Sequence, residues 1–406
     1  MDILDRLKWL SLQMTLEPDG KPNLMDVSDG APDCSRFETQ RDNLFVYPAA
    51  LPNGRRIRLL KTLLSSVCER DCHYCPFRAG RDFRRATFTP EEFARLFLHL
   101  YERGIADGLF ISSGLAGGGI RTQDRLIETA EILRLKLGFK GYLHLKIMPG
   151  AEKAQVERAM QLADRVSINL EAPSAMRLNR LAPHKTFFNE LLTRLRWVDE
   201  IRQSLPPQRG WKGHWPSSTT QFVAGGADES DLELLQTSEF LYRHLHLKRV
   251  YYMGFHPISD TPLENHPPTP ALRQLRLYQA SFLLRDYGFG LDELPFEAGG
   301  NLPVGQDPKQ AWAEKNLLEC PIEINRAEWS QLLRIPGIGP RTAKAILKAR
   351  RTCTLRDLSS LKKLGIVVER AAPYILLDGR RAPVQPVLFS SSLIQRAAMH
   401  SVDSSG

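Results

Sequence analysis

Short apolar runs and longer helical patterns alternate along most of the chain. Strand-length runs lie at Ile57 to Leu64, Gly108 to Ser112, Tyr142 to Ile147, Arg165 to Leu170, Thr219 to Val223 and Arg249 to Phe255. The clearest helix start is Thr89-Pro90-Glu91-Glu92. There Thr89 is the expected N-cap, Pro90 suits the first helical position, and Glu92 completes a reciprocal cap ahead of Phe93, Leu96, Phe97, Leu100 and Tyr101. Strands alternating with helices predict a parallel sheet, since each parallel neighbour needs a crossover. Six such units predict an α/β fold with the sheet curled into a partial (β/α)6 barrel, and chemistry collects at the C-terminal strand ends of such folds.

Punctuation divides the rest. Turn signals at Pro18-Asp19-Gly20, Asp29-Gly30-Ala31-Pro32 and Pro52-Asn53-Gly54 come after one short amphipathic start at Ile3, Leu4, Leu7 and Leu10, so residues 1–54 read as an extension on the main domain. Residues 55–260 hold the strand-helix units. Residues 261–327 connect those units to a C-terminal module through His266-Pro267-Pro268-Thr269-Pro270, a leucine-rich helix and Asp307-Pro308-Lys309, for which packing is the expected role. That module, residues 328–383, is small and helical, and the Pro- and Ser-rich tail 384–406 is expected to be mobile.

Charge changes the picture of the C-terminal module. The chain has 55 Lys and Arg, 46 Asp and Glu, and a formal net charge of +9. Between Trp329 and Pro383 there are twelve basic and three acidic residues, so the whole excess lies there and points to a polyanionic partner. The module also contains Ile335-Pro336-Gly337-Ile338-Gly339-Pro340-Arg341, in which the glycines permit a tight bare turn and Pro340 starts a helix whose N–H groups and dipole suit a phosphate. Ala343, Ile346 and Leu347 are its expected buried stripe, while Arg341, Lys344 and Lys348 stay outside. The following stretch, Leu355 to Ile366, reads as a degenerate second hairpin, with Val367 where the second glycine belongs.

The candidate chemistry sits at the end of the first strand. Cys68, Cys72 and Cys75 lie within eight residues, and three thiolates are one short of the four that saturate a [4Fe-4S] cube. A structural zinc site completed by His73 or Cys34 is the alternative. No signal-peptide pattern and no apolar run near the roughly 18 residues of a membrane span are legible, so the chain reads as cytoplasmic, with no membrane partner. Cys34, Cys320 and Cys353 are scattered and receive no role.

The C-x3-C-x2-C spacing, with Tyr74 before the last cysteine, resembles the radical S-adenosylmethionine (SAM) signature. Together with the Pro-Gly-Ile-Gly hairpin, the chain resembles the radical SAM family described as DNA modification or repair proteins with a C-terminal helix-hairpin-helix. The likeness extends to Gly108 through Gly114, Asp164 through Glu171, Arg249-Val250-Tyr251-Tyr252 and Asp307-Pro308-Lys309. It implies a radical SAM barrel joined to a small all-α helix-hairpin-helix domain. It implies that Cys68, Cys72 and Cys75 hold a [4Fe-4S] cluster, that SAM binds the fourth iron, and that reductive cleavage of SAM yields a 5'-deoxyadenosyl radical. Ser112, Ser113 and Gly114 take the place of the usual Gly-Gly contact to the SAM amino group. Lys146 would pair with its carboxylate, Asn169 and Glu171 with the ribose, and the segment of Gln221 and Val223 would lie along the adenine. For these strand ends a plain polar terminus is an equal reading. Tyr251, Tyr252 and His256 are substrate-side candidates, and Trp211, His214 and Trp215 either stack on a base or form a small core of their own. Gly337, Ile338, Gly339, Arg341, Lys344 and Lys348 would bind nucleic acid, DNA in the first instance. An electron donor such as flavodoxin or ferredoxin is implied. The alternatives are an RNA-modifying radical SAM enzyme, for instance on tRNA, and a non-catalytic iron-sulfur protein on DNA.

Overall fold

A computed structural model describes residues 2–16, 46–50, 54 and 56–382. Cys34, the turn signals at 18–20 and 29–32, and the 384–406 tail lie outside the described residues. The chain forms two compact units, one of Met1–Arg285 with Phe296–Gly305, the other of Asp286–Pro295 with Gln306–Gly406.

In the first unit α1 (Ile3–Leu16) buries Leu7, Leu10 and Met14. The sheet comprises β1 (Val46–Ala50), β2 (Arg56–Leu63), β3 (Gly108–Ser112), β4 (Tyr142–Lys146), β5 (Arg165–Ser167), β6 (Ser217–Ala224) and β7 (Arg249–Gly254), in that spatial order. All pairs from β2 to β7 are parallel. The connecting helices are α2 (Pro90–Glu102), α3 (Gly118–Glu131), α4 (Lys153–Leu162), α5 (Ala175–Leu181), α6 (Thr193–Ser204) and α7 (Asp231–His244), and α8 (Ala271–Asp286) comes after β7. The six expected strands are thus the six parallel strands of a curled half-barrel. The cap of α2 also matches expectation: Thr89 Oγ1 accepts from the Glu92 N–H at 3.3 Å, and Glu92 Oε2 accepts from the Thr89 N–H at 3.0 Å.

One strand of this unit was not expected. β1 pairs antiparallel with β2, with Pro48 opposite Arg58. Proline lacks the ladder N–H, which argues against a strand in sequence but is tolerated at a sheet edge, where β1 lies.

The second unit contains α9 (Pro308–Leu317), β8 (Ile322–Glu323), α10 (Trp329–Leu332), α11 (Pro340–Ala349), α12 (Leu358–Lys363), α13 (Val368–Ala371), β9 (Ile375–Leu377) and β10 (Arg380–Arg381). Its helices pack on a core that includes Leu332, Leu333, Ile335, Ile338, Ala343, Ile346, Leu361 and Ile366. The all-α expectation needs one correction: β8, β9 and β10 form a three-stranded sheet. Strands of two or three residues are too short to leave an alternating pattern in sequence.

Candidate active site and nucleic-acid interface

The C-terminal ends of the parallel strands open on a cleft lined by the residues of the cysteine loop and by the ends of β2 to β7. The chain enters it from β2. The Ser66 hydroxyl accepts from the Ala86 N–H at 3.0 Å, and the Ser65 and Thr87 hydroxyls are 2.7 Å apart. Gly114, past the end of β3, donates its N–H to the Ser65 carbonyl at 2.7 Å, and a Cβ on it would stand 2.3 Å from the Val67 carbonyl oxygen. The two loops are therefore clamped together by backbone, and only glycine allows it.

Cys68, Cys72 and Cys75 all line the cleft, Cys72 buried and the others half-buried. His73 turns away, its Nδ1 lying 2.9 Å from the Arg180 carbonyl oxygen. Among the described residues no three His, Cys, Asp or Glu side chains converge as ligands of one ion. Zinc needs its donors about 2.0–2.3 Å from a single centre, whereas thiolates on separate irons of a cube stand wider apart. Three thiols facing a common cleft, with the motif's histidine directed elsewhere, fit a cluster.

Charge is arranged around those thiols. Lys185 Nζ lies 3.1 Å from Glu171 Oε1, with both side chains buried, and Glu171 Oε2 is buried without a hydrogen-bond partner. Burial works against the Lys185 ammonium, but Cys72 and Glu171 beside it raise its pKa on balance. Burial pushes the Cys72 thiol up, and Lys185 works in the opposite direction. Glu171 itself has φ 66°, a left-handed conformation that costs a non-glycine residue on the order of 1 kcal/mol. It is held there by its N–H to the Gln221 carbonyl at 3.0 Å and by the Val223 N–H on its own carbonyl at 2.7 Å. A strained, partly unsatisfied carboxylate at a strand end marks a place for a ligand.

The cleft brings together most of the expected residues: Ser112, Ser113, Gly114, Lys146, Asn169, Glu171, Gln221 and His256 all line it. Lys146 Nζ donates to Asn169 Oδ1. Three expectations are corrected. Val223 is fully buried and contributes a backbone N–H rather than a wall. Tyr251 lies deeper on β7, its hydroxyl 3.5 Å from Arg165. Tyr252 faces the opposite side, with its hydroxyl 2.6 Å from Ser238 and its ring edge-on to Tyr278, because neighbouring strand residues alternate faces. Beyond Gly114, Gly117 and Gly118 are turned to the protein, since Glu69 accepts their N–H groups at 3.0 Å each. Trp211 lies under the Arg134 guanidinium at 4.1 Å and Trp215 donates to the Leu205 carbonyl at 3.1 Å, so both belong to a small local core rather than a stacking platform.

Sequence reasoning missed Arg70, Tyr74 as a wall, Met148 and Lys185. Arg70 is held by Glu190 at 2.5 Å and by the His184 carbonyl. These partners lie more than a hundred residues away and leave no local signal. Deeper in the half-barrel, His144 Nε2 is 2.8 Å from Ser167 Oγ, and its ring sits 4.5 Å from Phe110. Burial, together with Arg165, Lys146 and Lys61, holds its pKa well below the ordinary value.

The hairpin of the second unit is built as its glycines require. Gly337 has φ 80°, and Gly339 is the N-cap of α11, with its N–H on Thr342 Oγ1 at 2.8 Å. Arg341, Lys344 and Lys348 are exposed along α11 while Ala343, Ile346 and Ile338 are buried. Two other local cations, Arg334 and Arg350, are structural. Arg334 forms a two-point pair with Glu293 at 2.8 and 2.9 Å and lies 3.9 Å over the Phe289 ring, and Arg350 donates to the Ile324 and Ala327 carbonyls.

Residues 62–206 match the model of the Radical SAM superfamily, and residues 319–375 match a helix-hairpin-helix motif. A curated relative, the uncharacterized protein MJ0785 of Methanocaldococcus jannaschii, is 24% identical over 234 residues, 55% of this chain and 56% of its own length. Among solved structures the chain is similar to the FeFe-hydrogenase maturase HydG of Carboxydothermus hydrogenoformans (14% identity, TM-score 0.45, 56% of this chain and 51% of that one). It is also similar to methylornithine synthase PylB (17% identity, TM-score 0.43, 56% and 63%). The chain thus spans little more than half the length of these proteins. Radical SAM enzymes use a [4Fe-4S] cluster and SAM. Residues 62–206, which hold the three cysteines of the thiol-lined cleft, thus form a radical SAM domain, and the second unit carries a helix-hairpin-helix motif.

Proposed function

We propose that the chain is a radical SAM enzyme that modifies or repairs bases in DNA, gripping the nucleic acid through residues 328–383. The observation that carries this reading is one chain holding both a three-thiol cleft and a bare-turn hairpin whose exposed cations are Arg341, Lys344 and Lys348. When bound, the cluster and SAM supply one-electron carbon–sulfur cleavage and a hydrogen-abstracting radical. The protein's own part is to hold and shield. Cys68, Cys72 and Cys75 hold the cluster, and the buried Lys185 next to Cys72 favours the thiolate form that binds iron. Glu171, Asn169 and Lys146 present one acceptor-rich and one cationic wall to the polar ends of SAM, while Met148, Met253 and Phe255 exclude water. At the hairpin, backbone N–H groups and the three cations bind phosphates without reading sequence. A small one-electron donor such as flavodoxin or ferredoxin completes the partners.

The test is anaerobic reconstitution with dithionite and SAM, monitoring 5'-deoxyadenosine with and without duplex DNA, single-stranded DNA and tRNA. Duplex DNA is expected to stimulate product, and Cys72→Ala to abolish it. Stimulation by tRNA alone would move the substrate to RNA. A fully loaded cluster that cleaves no SAM would leave an iron-sulfur protein without radical chemistry.

A further inference from the structure

Asp307-Pro308-Lys309, for which the sequence suggested only packing, lies directly beneath the hairpin turn. Lys309 opens α9, with Asp307 as its N-cap accepting from the Lys309 and Gln310 N–H groups at 3.0 and 3.1 Å. The lysine side chain does not run out to solvent: the residue is 8% exposed. Its Nζ donates to the Ile338 carbonyl at 2.5 Å, between the two glycines of the turn, and stands 4.7 Å over the Tyr287 ring. The Tyr287 hydroxyl in turn rests against Gly339, 3.1 Å from where a Cβ would be. A buried ammonium is expensive unless it is paired and hydrogen-bonded.

We infer that Lys309 is a positioning residue of the phosphate-binding turn, its buried ammonium fixing the Ile338 carbonyl from within and adding positive charge behind the turn where a phosphate docks. This rests on the nucleic-acid reading of the module. The cation is poised rather than permanently charged. Burial lowers its pKa to about 7, Asp307 opposes that shift, and Arg370 and Arg334 reinforce it. These three, with the Tyr287 ring, are the charged and titratable groups that face it. A phosphate on the turn restores part of the missing counter-charge, so binding draws a proton onto Lys309. No histidine occurs between Asp286 and Ala382 to produce the same signature around the hairpin.

The experiment is calorimetric titration of the full-length chain with a short duplex DNA at pH 6, 7 and 8, in buffers of different ionisation enthalpy. Wild type is expected to take up roughly half a proton per complex at pH 7 and to lose about five-fold in affinity from pH 6 to pH 8. Lys309→Met removes both effects while Lys309→Arg restores binding that no longer varies with pH. Because Lys309→Met alters a core, Asp307→Asn is the second variant. Asparagine still caps α9, but loss of the carboxylate moves the affinity midpoint to lower pH. Duplex binding with no proton uptake, uptake unchanged in Lys309→Met, or an unmoved midpoint in Asp307→Asn overturns the inference alone. No duplex binding by wild type at any pH overturns the nucleic-acid reading and the inference with it.

Discussion

His144 is the residue whose surroundings are most one-sided. Three cations act on it, and the six parallel strands contain no aspartate or glutamate at all. Its folded pKa is depressed, so the unfolded chain takes the proton first. The stability it contributes is therefore fully present above about pH 6.5, the unfolded value, and is lost as pH falls from there through the depressed folded value. Urea unfolding of the full chain should show His144→Gln, which keeps an amide for Ser167, losing less stability between pH 7 and pH 5 than wild type. Equal losses would mean that His144 is not held neutral. At this scale the cysteines were plain in sequence because three soft ligands in eight residues have few other uses. Lys185 was not, since a lysine after Pro183-His184 looks like any turn residue until the fold carries it to Glu171. Tyr252 misled for the opposite reason: an aromatic at a strand end signals a mouth or a core, and only the phase of the pleat decides which.

Among elements, the parallel strands were legible through their buried apolar positions, which alternate with more exposed ones in β4 and at the start of β2. β1 was hidden by Pro48, and β8 to β10 by their shortness. The two hairpins of the second unit show what spacing alone does not reveal. Val367 replaces a glycine in the second turn, and its N–H approaches the Gly337 carbonyl at 3.4 Å while its own carbonyl oxygen would stand 2.5 Å from a Cβ on Gly337. The turns brace each other. Gly365 has a similar φ of 82°, yet a Cβ there meets only Thr342 Cγ2 at 3.8 Å. Gly337→Ala should therefore cost about 2–3 kcal/mol, strain plus clash, and Gly365→Ala about 1 kcal/mol, strain alone. Thermal unfolding ranks the two, and the reverse order would sink the bracing argument.

For the whole molecule, the excess charge and the thiol cleft belong to different compact units. On the nucleic-acid reading, three phosphate contacts from Arg341, Lys344 and Lys348 give a roughly 40-fold loss of duplex affinity between 50 and 200 mM salt. Cleavage of SAM in the absence of DNA should be nearly unchanged over that range. Fluorescence anisotropy and product assays run side by side decide it, and a salt-insensitive duplex affinity would show that these cations do not meet phosphate. The row from Arg341 to Lys348 spans only about 10 Å of helix, since each residue rises about 1.5 Å. On that reading a footprint so short means brief residence: the chain would let go often, sample many stretches of a polymer, and leave the choice of where chemistry happens to whatever fits the cleft.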